Sequence, residues 1–115
     1  MMIRAKIHKP MYDHNDKKYI QLAVPPKFAS RVEQVHEANF RKLHNGEKQN
    51  PLMGCVLTVK VPYRYRRVMC KVVGSRPLQA LCEGDEVLTE LEFAGAWNVG
   101  NTSGFSWKIK NVDTL

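Results

Sequence analysis

Residues 55–73 alternate between two kinds of position. Leu57, Val59, Val61, Tyr63 and Tyr65 share one parity, and Val56, Thr58, Lys60, Pro62, Arg64 and Arg66 share the other. A period of two is that of a strand, and β-branched and aromatic residues suit a half-buried sheet surface. Pro62 cannot donate to a ladder, so the strand is expected to be at an edge, bulged or broken there. Residues 63–66 read either as strand or as a turn tip. A tip would make 55–61 and 68–73 a hairpin that holds its arginines out as a basic finger.

The same reading places other elements. Residues 1–8 alternate Ile3, Ala5 and Ile7 against Arg4, Lys6 and His8, which predicts a first strand ended by Pro10. A polar turn at 13–16 leads to a second strand over 18–24, stopped by Pro25-Pro26, and the two strands are expected to form a hairpin. Residues 27–44 carry Phe28, Val32, Val35, His36, Phe40 and Leu43 at helical spacing, with Asn45-Gly46 as the stop. Residues 47–54 read as a loop and 78–82 as an apolar link. From Gly84-Asp85 another strand begins, in which Val87, Thr89, Leu91, Phe93 and Trp97 share parity and Gly95 permits a bulge. Residues 98–104 are rich in turn formers, and Phe105, Trp107 and Ile109 alternate with Ser106, Lys108 and Lys110 in a last strand. The chain of 115 residues is therefore expected to be one mainly β domain, 1–115, with one helix.

Charge sharpens this picture. The formal net charge is +7, and it is unevenly spread. Lys60, Arg64, Arg66, Arg67, Lys71 and Arg76 follow one another without an acid, whereas residues 83–92 hold five acids and no cation. Such asymmetry suggests a face that attracts anions, or cross-strand ion pairs within a sheet. A basic strand with interleaved rings suits a single nucleic-acid strand, because cations neutralise phosphates and flat side chains stack bases. The cations expected to serve are Lys60, Arg64, Arg66, Arg67, Lys71, Lys108 and Lys110. The expected platforms are Tyr63, Tyr65, Trp97 and Trp107, although Trp107 has the parity of the core positions Phe105 and Ile109.

Other chemistries find little support. The four histidines are scattered, and the three cysteines lack ligand or disulfide spacing, so no metal or cofactor is expected. No phosphate loop, nucleophile elbow or HExxH occurs, and Glu90 and Glu92 read as an ion-paired face, so no catalytic residue is assigned. No stretch has the apolar length of a membrane span, and the first residues lack the apolar core of a secretory signal. Unpaired cysteines fit a reducing compartment, so the cytoplasm is expected, or the host nucleus for a eukaryotic virus.

Gly84-Asp85-Glu86-Val87, the strand after it, a glycine-containing loop and residues 104–112 together resemble the closing hairpin of small OB-fold single-stranded DNA-binding proteins. That resemblance covers the last third of the chain. It implies an OB-type small β-barrel and a non-catalytic role in coating single-stranded DNA, with RNA as a further ligand, during replication or recombination. A helix after the second strand departs from the usual placement between the third and fourth. The ending, Asn111-Val112-Asp113-Thr114-Leu115, lacks an acidic tail, which implies a phage, plasmid or viral type. A homodimer is a further expectation, since small barrels leave an edge to pair. The alternative is a small interaction module or inhibitor that binds a protein through its basic edge strand.

Overall fold

The computed structural model describes residues 2–44 and 46–115. Its strands are β1 (Ile3–His14), β2 (Lys17–Ala23), β3 (Glu47–Gln49), β4 (Leu52–Met53), β5 (Val56–Val61), β6 (Tyr63–Arg64), β7 (Arg67–Val68), β8 (Lys71–Val73), β9 (Glu86–Val99) and β10 (Thr102–Asp113). The helix α1 (Pro26–Asn39) joins β2 to β3 and continues into a 3-10 turn at Phe40–Lys42. The chain is thus mainly β with one α-helix among the described residues. The stop expected at Asn45 lies outside them, as does Met1.

The long strands pair in a closed circuit. β1 pairs β2, β2 pairs β5, β10 pairs β9 and β9 pairs β1, all antiparallel. A single parallel register, Lys60 opposite Lys108, joins β5 to β10 and completes the ring. Alternation then has a simple meaning. Ile3, Ala5 and Ile7, Ile20 and Leu22, Leu57, Val59 and Val61, Val87, and Trp107 and Ile109 are all buried in one core. Their neighbours in sequence face outward. Each fully buried aliphatic side chain contributes about 1.5–3 kcal/mol relative to exposure.

α1 begins with Pro25 at the cap and Pro26 in its first turn, where a missing N–H costs little. It buries Ala29, Val32 and His36. His36 stacks on Phe105 with centroids 4.4 Å apart and lies 6.1 Å from the Trp107 ring. Phe28 meets Trp107 edge to face at 6.1 Å. Phe93 of β9 lies 6.3 Å from the His36 ring, so helix and strands are joined through aromatic side chains of β9 and β10. Phe40, expected on the buried face, is 56 % exposed because the helix has by then tightened into the 3-10 turn.

Several boundaries differ from expectation. β1 does not end at Pro10 but runs on to His14. Its pairing with β9 ends at Lys6, and Ile7 still bonds the backbone of Gly84 and Asp85. Beyond Ile7 its strand partner is β2, with register shifts between Ile7 and Lys9 and between Lys9 and Tyr12. Proline is tolerated on such a one-sided, bulged stretch. The segment 47–54 is not all loop, since β3 pairs in parallel with Thr102–Gly104 of β10. The basic segment is broken at Pro62. β6 and β7 form a short hairpin around Tyr65-Arg66, while β8 pairs with the end of β10 rather than with β5. Of the two alternatives for 63–66 the tip is the one observed, but the long hairpin of 55–61 with 68–73 that a tip would make does not form.

Candidate nucleic-acid interface

The outward face of the ring carries an open groove of about 600 Å³. Its floor includes Thr58 and Lys60 of β5 and Ser106 of β10. One wall is the β1–β2 hairpin, with Tyr12, His14, Lys17 and Tyr19. The opposite wall is the β9–β10 hairpin, with Trp97, Val99 and Thr102. Among the described residues no Asp or Glu lines this groove.

The first wall follows from the hairpin register. Asn15 and Asp16 take φ of 52° and 64°, the left-handed pair that a two-residue hairpin turn requires and that Asn and Asp tolerate best. That turn sets Tyr12 opposite Tyr19, and their rings stack at 6.0 Å. His14 approaches Tyr19 edge-on at 6.1 Å, and the Lys9 ammonium lies 4.2 Å from the Tyr12 ring centre. Partial burial, with Tyr12 beside it, holds the Tyr19 phenol above its usual range, so its O–H is retained as a donor.

A bulge makes the second wall. Ser106 pairs with Gly95 but Trp107 pairs with Phe93, so Ala94 is the extra residue. Phe93 packs against the core, and an unbroken strand would send Trp97 the same way. The bulge reverses the parity and puts Trp97 on the outer face opposite Gly104. The indole lies so close to Gly104 that an added Cβ would come 2.8 Å from Trp97 Cζ2. Glycine at 104 is what lets the ring lie down on the strand.

A second cleft, of about 420 Å³, adjoins the first. It is lined by Val61, Pro62, Tyr63, Arg64 and Met69 together with Asp16, Lys17, Lys18 and Lys60. Lys17 and Lys60 line both clefts. Lys18 pairs with Asp13, and its ammonium lies 4.9 Å from the Tyr63 ring centre.

The expected residues divide into groups. Lys60 and Trp97 lie in the first groove, and Lys60, Tyr63 and Arg64 in the second cleft. Tyr65, Arg66 and Arg67 stand exposed on the β6–β7 finger beyond it. Lys71 is exposed on β8 and lines neither cleft. Lys108 and Lys110 face out from β10 but lie 4.0 Å from Glu92 and 3.9 Å from Glu90, so cross-strand pairing engages them. Trp107, expected as a stacking platform, is 6 % exposed, and its indole N–H donates to His36 Nε2 at 2.9 Å. It borders the groove but is too buried to present an open face.

Sequence reasoning missed Tyr12, Lys17 and Tyr19. The parity of Tyr19, opposite to that of buried Ile20, was the available signal for an outward ring. The loop expected over 98–104 is also mostly strand, since only Gly100 and Asn101 separate β9 from β10. No group of three or more metal-ligating side chains occurs among the described residues. No described helix is long and apolar enough to cross a membrane. Neither family models, curated proteins nor solved structures give a match to this chain. What defines it is a β-rich ring with an acid-free, ring-walled groove.

Proposed function

We propose that the ring is an OB-type barrel and that its groove binds single-stranded nucleic acid, DNA foremost, without catalysis. The strand circuit supports the first half: β1, β2 and β5 lie side by side in that order, β10 and β9 follow, and one parallel pairing of β5 with β10 closes the ring. In OB folds, oligonucleotides and oligosaccharides lie across the second and third strands between the first and last hairpin loops. The groove here lies over β2 and β5 and between the 15–16 and 100–101 turns, which supports the same assignment.

The observation that carries the ligand class is the composition of the groove. It has rings on both walls, a lysine on its floor and, among the described residues, no carboxylate. Stacking of a base on such a ring contributes about 1–3 kcal/mol with little sequence preference. Phosphate neutralisation by Lys60 and the finger arginines adds affinity that falls with salt. Coating single strands in replication or recombination is the role that such binding fits.

Intrinsic fluorescence tests this. Oligo-dT is expected to quench the tryptophan emission, added salt to restore it, and Trp97→Phe to remove most of the change. An emission indifferent to oligo-dT at low salt would overturn the reading and favour a protein partner for the basic finger.

A further inference from the structure

Lys17 follows the turn of the first hairpin, and Lys60 is the last residue but one of β5. They come from different strands, yet both line the groove and the second cleft. Lys60 is half-buried, and Lys17 is near enough to repel it. Among the described residues no carboxylate forms an ion pair with either, whereas Lys18, Lys108 and Lys110 each have one. Asp16 also lines the second cleft, but no ion pair joins it to either lysine. Burial and the Lys17 charge together hold the Lys60 ammonium below its ordinary range. Two neighbouring cations with no carboxylate paired to them attract an anion to the space they share.

We propose that Lys17 and Lys60 grip one and the same phosphate, and that this shared anchor threads a single strand from the groove into the second cleft. The inference rests on the single-strand reading above and makes it specific. The nucleotide on one side of the anchor faces Tyr19 and Trp97, and the nucleotide on the other faces Tyr63. The strand then leaves past Arg64 toward the finger.

A shared phosphate has an arithmetic signature. For a single strand, each neutralised phosphate contributes about 0.7 to the slope of log affinity against log salt. The double variant K17Q/K60Q, titrated with oligo-dT over a range of salt, should therefore show a slope smaller by about 0.7. Two phosphates neutralised separately would make it smaller by about 1.4, and either that value or an unchanged slope would overturn the shared anchor. Lysine side-chain NMR of the unaltered protein gives a second readout that needs no variant. Inorganic pyrophosphate should shift the Lys17 and Lys60 Nζ signals together and raise the Lys60 pKa towards its ordinary value. Silence of both lysines would remove the site. A pyrophosphate response without any oligo-dT binding would keep the anion site and discard the single-strand path.

Discussion

The indole N–H of Trp107 in β10 donates to the Nε2 of His36 in α1 at 2.9 Å. Acceptance at Nε2 requires that nitrogen to be unprotonated, so His36 is neutral in the folded protein. Burial also pushes its pKa below the ordinary value. The folded state thus binds fewer protons than the unfolded state once the pH falls below about 6.5. Stability is fully present above that value and is lost progressively as the pH drops towards the lowered folded pKa. Thermal melts between pH 8 and pH 5 should show this fall, and His36→Gln, which keeps an acceptor but does not titrate, should flatten it. Asp85 and Glu90 act at lower pH, because hydrogen bonds from the Cys82 N–H and the Asn111 amide hold their carboxyls below the usual range. An identical acid profile for His36→Gln and the parent would contradict the assignment.

Gly104 supports Trp97 from beneath and also faces β3. A Cβ there would come 2.8 Å from Trp97 Cζ2 and 2.8 Å from the Gln49 carbonyl oxygen. Gly104→Ala should destabilise the protein by about 1–3 kcal/mol, the range of an overpacked site. It should also shift the Trp97 emission and weaken oligo-dT binding together. Denaturant titration with the fluorescence spectrum of each state checks both effects.

Tyr65 and Arg66 hold φ of 55° and 64° at the tip of the finger. A bulky residue in that region is strained, whereas Asn-Gly suits the same turn. Replacing the pair, Tyr65→Asn with Arg66→Gly, should raise stability by about 1 kcal/mol. The same change should weaken single-strand binding, since it removes an exposed ring and a cation. A variant that gains stability and binds as before would show that the strained tip has no part in recognition.

Arg64, Arg66 and Arg67 are exposed on the β6–β7 hairpin. Changing all of them to alanine should leave the melting temperature nearly unaltered. Affinity for every sequence should drop alike, and the salt slope should flatten by about 0.7 for each phosphate that is no longer neutralised. Unchanged affinity would remove the finger from the interface.

Local signals in the chain carried the elements further than their arrangement. The alternations at Ile3-Ala5-Ile7, Leu57-Val59-Val61 and Phe105-Trp107-Ile109 mark buried faces, and Phe28, Val32 and His36 mark the helix. The hairpin of β1 and β2 was also legible, because Asp13 to Asp16 are turn formers between two alternating runs. Pro10 misled because a proline stops a strand only where its N–H would be needed, and that depends on a neighbour far along the chain. Trp97 faces outward through a single extra residue at Ala94, which inverts the parity that the sequence displays. The ring closes through one pairing between Lys60 and Lys108, residues distant in sequence. Lys17, Tyr12 and Tyr19 join the groove only once that closure brings β2 and β5 beside β10. The basic run from Lys60 to Arg76 was visible, but charge alone does not separate Lys60, in the groove, from Lys71, outside it.

Competition between a single strand and a duplex tests the central claim most directly. The protein is titrated into labelled oligo-dT and into duplex of equal length, at low and at raised salt. Tighter binding to the single strand is predicted at both concentrations, with affinity falling as salt rises, because stacked bases are available only in the unpaired strand. Equal affinity for the two ligands, or none for either, would contradict it.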